Sequence, residues 1–249
     1  MRVPRIYQSM ALASGQIIDL DAQATSHLTR VLRLRVGDAL FVFNGRGSEF
    51  EGTVTAIERR AASIQLGKAH HQNVESPLEI VLVQGISRGE RMDYAVQKAV
   101  ELGVSQIVPV NTERTVVNLK GDRQTRRQQH WQAVVNSACE QSGRNVVPEV
   151  KPIVPLQKWL EESEQEGEFD LKLVLHHRAQ GSLSGLPRPK RSVIVLIGPE
   201  GGLAPPEIAT AESAGYLPIR LGPRVLRTET AVVATLSVLQ LLWGDFGEK

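Results

Sequence analysis

The chain of 249 residues contains one cysteine, Cys139, so it cannot form an internal disulfide bond. That usage is typical of proteins in a reducing cytosol. The opening residues, MRVPRIYQSM, lack the apolar core of a secretory signal, and no segment approaches the roughly 18 apolar residues of a membrane span. We therefore expect a soluble, cytoplasmic protein that has no membrane partner.

Several common catalytic and nucleotide-binding patterns are also missing. Neither GxGxxG nor GxxxxGK[ST] occurs, which disfavours a dinucleotide-dependent oxidoreductase and a phosphate-binding loop. No Ser–His–Asp arrangement is evident. The histidine pairs His70–His71 and His176–His177 have no well-spaced cysteine or carboxylate partners, so we expect no metal.

The composition is that of an ordinary globular protein, with 41% hydrophobic and 22% charged residues and a net charge of +2. The basic residues are nevertheless clustered near the N-terminus and in the middle of the chain. They are Arg2, Arg5, Arg30, Arg33 and Arg35, and then Arg114, Lys120, Arg123, Arg126 and Arg127. Such clusters suit nucleic-acid phosphates, but charge alone leaves plain solubility equally open.

The pattern of elements changes near residue 73, which predicts two domains. Before that point, the runs DALFVF and EFEGTVTAIE flank NGRG at Asn44–Gly47, a good hairpin turn because Asn and Gly tolerate positive φ. With a short helix over Ala22–Leu34, these runs predict a small β-rich domain, a barrel, over residues 1–72. The polar segment His71–Pro77 is the predicted linker.

Strands and helices alternate through residues 73–249. The predicted strands are LEIVLVQG, SQIVPVN, LKLVLHH, VIVLIG and PIRLG, and the predicted helices are MDYAVQKAVELG, Arg123–Ser142, the segment after Pro205–Pro206, and Thr230–Leu242. This alternation predicts an α/β domain whose parallel sheet is covered by helices on both faces.

Two C-terminal segments, Val193–Ile208 and Ile219–Gln240, indicate a binding site. Each begins as a buried strand and then breaks into Gly and Pro, as VIVLIGPEGG and IRLGPRVL. Ligands of open parallel sheets bind at that carboxyl edge, where backbone groups are exposed. From the residues alone, a simple Gly-Pro turn after a strand is an equally good explanation.

The same segments carry a family resemblance. GPEGG at Gly198–Gly202 and LGPRVLRTETA at Leu221–Ala231 resemble the signature of the SPOUT class of RNA methyltransferases. More narrowly, they resemble the bacterial enzymes that methylate N3 of a uridine in 16S ribosomal RNA. The other similar blocks are RVPRIY at Arg2–Tyr7, HLTRVLRLRVGD at His27–Asp38, SRGERMDYAVQKAVELGV at Ser87–Val104 and ACEQSGRNVVPEV at Ala138–Val150.

The resemblance implies a fold that periodicity would not predict. It implies a SPOUT-type parallel sheet with a deep trefoil knot, preceded by a PUA-like RNA-binding β-barrel. It also implies a homodimer, to which the apolar helix Val232–Trp243 contributes unless that helix belongs to the core of its own chain. The implied substrate is 16S rRNA within an assembled or nearly assembled small subunit.

The resemblance further implies a pocket for S-adenosylmethionine in a bent form. The matching residues are Ile197, Gly198, Pro199, Glu200, Gly201 and Gly202 in the first loop, Leu221, Gly222, Val225, Leu226, Arg227 and Glu229 in the second, and Leu175 and His176 at the end of a strand.

Two of these residues are the catalytic candidates. N3 of uracil is a weakly acidic imide, so its proton must be removed or its anion stabilised. Arg227 offers a fixed fork of donors for the anion, and Glu229 offers a carboxylate for the proton. Alternatively, Arg227 forms a salt bridge that orients the loop, and Glu229 is an acid in the first turn of a helix, where the dipole favours it.

The RNA-contact candidates lie in both predicted domains. They are Arg5, Tyr7, Arg30 and Arg33 near the N-terminus, and Arg88, Arg91 and Arg144 later in the chain. Arg30 and Arg33, three residues apart, are expected on one helix face. Each residue alone could be an ordinary solvated cation.

Three rival functions follow from the same residues. The first is a related methyltransferase that modifies another base or a ribose 2′-hydroxyl. The second is a non-catalytic RNA-binding or ribosome assembly factor that has kept the pocket. The third, a nucleotide-dependent oxidoreductase, lacks the fingerprint that its cofactor requires.

Overall fold

The computed structural model describes residues 3–117, 121–163 and 169–247. The chain divides into two compact units. The N-terminal unit comprises Met1–Glu75 and Asn136–Val147, and the C-terminal unit comprises Ser76–Val135 and Pro148–Lys249. Arg2 and Lys120, counted above among the basic residues, lie outside the described residues.

The N-terminal unit contains a five-stranded sheet in the order β1-β3-β4-β5-β2. Its strands are β1 (Arg5–Tyr7), β2 (Ile17–Leu20), β3 (Ala39–Phe43), β4 (Glu49–Ile57) and β5 (Ala62–His70). The predicted hairpin is confirmed, since β3 and β4 pair antiparallel around the NGRG turn. Ile6 and Ile18 lie on the two edge strands yet share one hydrophobic cluster, so the sheet curls around its core.

The helix predicted over residues 22–34 is wrong beyond Val31. An α-helix, α1 (Ala22–Ser26), passes into a wider π-helical turn at His27–Val31, and Arg33 takes the left-handed conformation with φ of 57°. Leu32 and Leu34 both pack on the core cluster. Residues two apart point in different directions on a helix, so the chain leaves the helix to bury both. Arg30 and Arg33 therefore do not share a helix face.

The C-terminal unit contains a seven-stranded sheet in which every described pair is parallel, which confirms the predicted α/β class. The order is β12-β10-β11-β6-β7-β8, and β9 also pairs with β7. The strands are β6 (Glu79–Gly85), β7 (Gln106–Asn111), β8 (Glu149–Val150), β9 (Val154–Pro155), β10 (Leu171–Leu175), β11 (Ser192–Ile197) and β12 (Leu217–Ile219).

Helices cover both faces of this sheet. They are α2 (Glu90–Glu101), α3 (Asp122–Ser142), α4 (Leu156–Ser163), α5 (Pro205–Ser213) and α6 (Thr228–Trp243). Val81 and Val83 of β6 join a cluster with residues of α4 and α5. Ile80 and Leu82, equally buried, alternate with them and face the opposite side, where α2 and α6 pack together.

Helix α3 is divided between the two units. Its residues up to Val135 belong to the C-terminal unit, and those from Asn136 onward belong to the N-terminal unit. None of the helices in the described ranges has the length and apolar character needed to cross a membrane.

Candidate functional site

A cavity of about 210 Å³ lies at the carboxyl edge of the sheet, where β10, β11 and β12 end. Most of the predicted pocket residues line it, as the positions of the two glycine-containing segments led us to expect. These residues are Leu175, His176, Ile197, Gly198, Pro199, Glu200, Gly201, Gly202, Leu221, Val225 and Leu226. Gly222, Arg227 and Glu229 are not in the lining, although each adjoins a residue that is.

Residues 198–202, which we call the first cavity loop, are fixed at their start by a buried polar chain. The hydroxyl of Thr228 donates to the carbonyl of Gly198 over 2.9 Å, and the Gln84 side-chain amide donates to that hydroxyl over 3.1 Å. A Cβ on Gly198 would lie 2.9 Å from the backbone of Gly202 and Leu203. The loop therefore packs against itself at a distance that only glycine permits.

The carboxylate of Glu200 ties the same loop to the segment after β6. It accepts hydrogen bonds from the Arg88 backbone N–H over 2.9 Å and from the Arg91 guanidinium over 3.1 Å. Burial opposes ionisation of the carboxylate, but these bonds and the Glu200 backbone N–H outweigh it, so the pKa of Glu200 lies below its usual value. Arg88 and Arg91 lie beyond the end of β6, and both are exposed.

Residues 221–226, the second cavity loop, are much more open. Gly222 has φ of 71°, a conformation that other residues rarely adopt. Val225 lines the cavity although 78% of its surface is exposed. Hydrophobic surface that lines a cavity and also faces water is suited to covering a bound apolar group.

The two catalytic candidates stand where the second cavity loop enters α6. Arg227 is the N-cap residue, is exposed, and its guanidinium makes no hydrogen bond or ion pair within the described residues. The salt bridge considered as an alternative is therefore not formed with any residue that the structure describes. Glu229 lies in the first turn, where its Oε2 is shielded from solvent and has no hydrogen-bond partner in the described chain.

His176 forms part of the cavity wall at the end of β10. Its backbone N–H donates to the carbonyl of Ile219 over 3.0 Å, which joins this wall to β12. Burial, together with the nearby His177 and Arg178, lowers the pKa of His176. The imidazole is thus neutral at pH 7 and adds no charge to the cavity.

Comparison with known proteins agrees with this geometry. The sequence profile of an RNA methyltransferase domain matches residues 74–240, and that of an RNA methyltransferase PUA domain matches residues 20–67. The chain belongs to this RNA methyltransferase family. The ribosomal RNA small subunit methyltransferase E of Buchnera aphidicola subsp. Schizaphis graminum is 37% identical over 98% of both chains. The protein of that name from Bacillus subtilis is 28% identical over 91% of this chain and 92% of its own.

Two solved structures of the family are similar over almost the whole chain. The methyltransferase Lpg2936 of Legionella pneumophila, in complex with S-adenosylmethionine, has a TM-score of 0.93, 39% identity, and coverage of 99% of this chain and all of its own. The small subunit methyltransferase E of Neisseria gonorrhoeae, bound to the same molecule, has a TM-score of 0.90, 38% identity and the same coverage.

Two of the RNA-contact candidates in the N-terminal unit are buried. Arg5 is 8% exposed, and its guanidinium pairs with Glu49 and donates to the Asn145 side chain over 2.6 Å. Arg144 is 5% exposed and pairs with Glu75. The prediction that these two contact RNA is corrected: both guanidiniums hold the end of α3 within its unit, because a buried cation must be paired.

The other candidates of this unit are more accessible. Tyr7 is half-buried, with its ring edge-on to Phe43 and its backbone N–H bonded to Glu140. Arg30 and Arg33 are exposed. Unlike Arg5, neither has a side-chain hydrogen bond or ion pair with another described residue.

Sequence reasoning missed several residues that shape the cavity, among them Gln84, Thr228 and Arg114. Gln84 and Thr228 form the buried polar chain, and Arg114 lines the cavity from the segment after β7. Thr228 could have been found, because it lies inside the LRTET motif at the start of a helix. Gln84 stands out only as an amide within the apolar run LEIVLVQG.

Proposed function

We propose that this protein transfers a methyl group from S-adenosylmethionine to N3 of one specific uridine in the 16S rRNA of the small ribosomal subunit. The observation that carries the proposal is a cavity between two glycine-containing loops, at whose edge Arg227 has no partner among the described residues. The relatives named for small subunit methylation and the two structures holding S-adenosylmethionine support it.

The residues of the cavity fit the proposed methyl donor. Leu175, Ile197 and Leu226 offer apolar side chains for the flat adenine, while the two loops expose backbone groups for hydrogen bonds to its edge. At Gly198 a side chain would collide with the loop itself. A ligand in the cavity therefore meets the backbone of Gly198 and not a side chain. A cavity of about 210 Å³ that remains open to solvent is compatible with a bent nucleoside.

The proposed chemistry uses one cation and one carboxylate of the chain. When bound, S-adenosylmethionine supplies a methyl group on a positively charged sulfur. The N3–methyl bond forms as the sulfur–methyl bond breaks, and the N3 proton passes to Glu229. Arg227 would donate to the uracil oxygens while N3 carries negative charge. Glu229 Oε2 has no hydrogen-bond partner among the described residues, so it has an acceptor free for that proton.

We also propose the SPOUT-type trefoil knot for the C-terminal unit. The bond from Thr228 to Gly198 supports it, because the chain that leaves the second cavity loop is thereby held against the first. The proposed domains are a PUA-like RNA-binding domain over residues 1–72 and a methyltransferase domain over residues 73–249. The end of α3, which clusters with the N-terminal unit, is the point where this simple division departs from the observed units.

The proposed assembly is a homodimer in the cytoplasm that acts on an assembled or nearly assembled small subunit. Leu241, Leu242 and Phe246 expose between 42% and 59% of their surface at the end of α6, an apolar face suited to a second subunit. Arg30, Arg33, Arg88 and Arg91, all exposed, are proposed to contact phosphates of the folded RNA.

The test uses small subunits from cells that lack the gene, incubated with the purified protein and methyl-labelled S-adenosylmethionine. The rRNA is digested, and the labelled nucleosides are identified by mass and chromatography. We expect 3-methyluridine at a single site. Label in another base or in a 2′-O-methyl nucleoside would identify the related-enzyme alternative. If no label entered the rRNA and the protein did not bind S-adenosylmethionine, the assembly factor would be favoured.

A further inference from the structure

The segment after β7 is built as a tight turn that presents Arg114. The Thr115 backbone N–H donates to the Thr112 carbonyl over 3.0 Å, which closes the turn. The Thr112 backbone N–H donates in return to the Thr115 hydroxyl over 2.9 Å. Arg114 therefore occupies a position whose backbone is held from both ends of the turn.

A second anchor fixes this turn relative to the first cavity loop. One oxygen of Glu207 accepts from the Glu113 backbone N–H and the other from the Ala204 backbone N–H, each over 2.8 Å. Ala204 is the N-cap residue of α5, directly after the loop. A single carboxylate thus joins the residue before Arg114 to the chain that follows the loop.

The guanidinium of Arg114 is itself oriented at the cavity. Its Nη1 donates to the Gly201 carbonyl over 3.0 Å, and the side chain is part of the lining. No carboxylate of the described residues pairs with it. Glu200, the acid in the same loop, is already bonded to Arg88 and Arg91. The remaining donors of Arg114 are left for a ligand.

Two further arginines line the cavity, but no hydrogen bond orients their guanidiniums as the bond to Gly201 orients that of Arg114. The guanidiniums of Arg220 and Arg224 make no hydrogen bond within the part of the chain that is described, so nothing fixes their direction. Loose cations suit a variable partner such as an RNA backbone. A preoriented guanidinium suits a small planar anion in a fixed place, because less side-chain freedom is lost when it binds.

We propose that Arg114 binds the carboxylate of the methionine moiety of S-adenosylmethionine. This inference rests on the proposed function, since it assigns one group of the proposed methyl donor. It gives the cavity a residue that selects donors carrying an α-carboxylate, and it gives Glu207 and the Thr112–Thr115 turn the role of positioning that residue.

Calorimetric titration of the full-length protein with two ligands tests the inference. S-Adenosylmethionine is compared with its decarboxylated analogue, for the wild type and for Arg114→Gln. Glutamine keeps a polar side chain with N–H donors but loses the charge. We expect Arg114→Gln to bind S-adenosylmethionine about 10- to 100-fold more weakly and the decarboxylated ligand about as well as the wild type does.

Arg224→Gln is the matched control, because it removes a cavity arginine that is not preoriented. It should leave the preference for the carboxylated ligand unchanged. Equal losses for both ligands in Arg114→Gln, or no loss for either, would overturn the inference. A loss of rRNA affinity with unchanged donor affinity would overturn it too, and would assign Arg114 to an RNA phosphate. If the wild type bound neither ligand, the proposed function itself would fail.

Discussion

The first cavity loop is held by groups from several elements of the C-terminal unit, whereas the second is held only beyond its ends. Thr228, the Arg88–Arg91 segment and Arg114 each bond to residues 198–202. No hydrogen bond joins residues 221–226 to any other described residue. Yet both loops line the same cavity.

This difference assigns the two walls different tasks. A loop fixed by buried hydrogen bonds keeps its backbone groups in place before any ligand arrives, which lowers the entropic cost of binding. A loop with few bonds can adjust around a ligand and then release it. Arg227, which is exposed, stands at the end of the adaptable loop. Changes there should therefore affect the reaction, and changes in the fixed loop should affect stability.

The largest effect is expected for Arg227→Ala. Loss of one donor to a developing anion lowers kcat by about 10²- to 10³-fold. Thermal stability should be unchanged or slightly higher, because a cation at a helix N-terminus opposes the dipole. Single-turnover methylation of small subunits and thermal unfolding measure the two quantities.

Arg227→Lys is the matched variant, since it keeps the charge and removes the fork. Its rate should lie between those of the wild type and Arg227→Ala. The separation of tasks between the loops would be wrong if kcat of Arg227→Ala stayed unchanged. It would also be wrong if the loss of kcat were explained by a loss of folded protein.

A smaller effect, on stability this time, is expected for Gly198→Ala in the fixed loop. The new methyl group would lie 2.9 Å from the backbone of Gly202 and Leu203. The free energy of unfolding should fall by about 1–3 kcal/mol, as for overpacked cores, and donor affinity should fall with it. Urea unfolding and calorimetric titration provide the readouts.

Gly185→Ala controls for the loss of backbone freedom, because nothing lies within 4 Å of a Cβ at that position. Its unfolding free energy should equal that of the wild type or exceed it by up to about 1 kcal/mol. A Gly198→Ala protein as stable as Gly185→Ala would show that the fixed loop can move aside.

Thr228→Val tests the link between the fixed loop and α6. Valine has nearly the shape of threonine but cannot donate to the Gly198 carbonyl or accept from Gln84. We expect a loss of about 1–2 kcal/mol in unfolding free energy, the cost of leaving a buried polar group poorly satisfied. Thr210→Val, which removes an exposed hydroxyl bonded within its own helix, should change little. Equal effects of the two variants would contradict the proposed importance of this link.

The smallest effect is expected for Glu200→Gln and depends on pH. The pKa of Glu200 is lower in the folded protein than in the unfolded chain, so its ionised form stabilises the fold above the unfolded pKa. That contribution is lost as pH falls through the folded pKa, which lies below the unfolded value. The wild type should exceed the variant by at most ~1 kcal/mol at pH 7, and the gap should close in acid. Urea unfolding of both proteins at pH 7 and at pH 3 measures this difference in free energy. A difference that widens in acid would contradict the prediction.

The alternation of strands and helices in the C-terminal unit and the positions of the two cavity loops could be predicted because they depend on local sequence. Apolar runs that end in Gly and Pro can be recognised in the sequence, and a parallel sheet brings the ends of such strands to one edge. The family resemblance assigned His176 and Leu175 to the wall, and both lie in the lining at the end of the neighbouring strand.

The roles of single arginines could not be predicted in the same way. Arg5 and Arg144 look like surface cations until folding brings Glu49 and Glu75 beside them. The π-helical turn before Arg33 depends on two leucines reaching one core. Arg114 acquires its place through Glu207, far along the chain. Partners distant in sequence decide each of these cases.

Helix α3 has a practical consequence for anyone who dissects the protein genetically. A gene fragment that stops at Glu75 would encode the whole N-terminal sheet but omit the Asn136–Val147 portion of the same unit. Arg5 would then lose Asn145, and Glu75 would lose Arg144. Weak RNA binding by such a fragment would report a broken fold rather than the affinity of the intact unit. The N-terminal unit is made of two segments that are separated in sequence. A fragment would have to contain both Met1–Glu75 and Asn136–Val147 to preserve it.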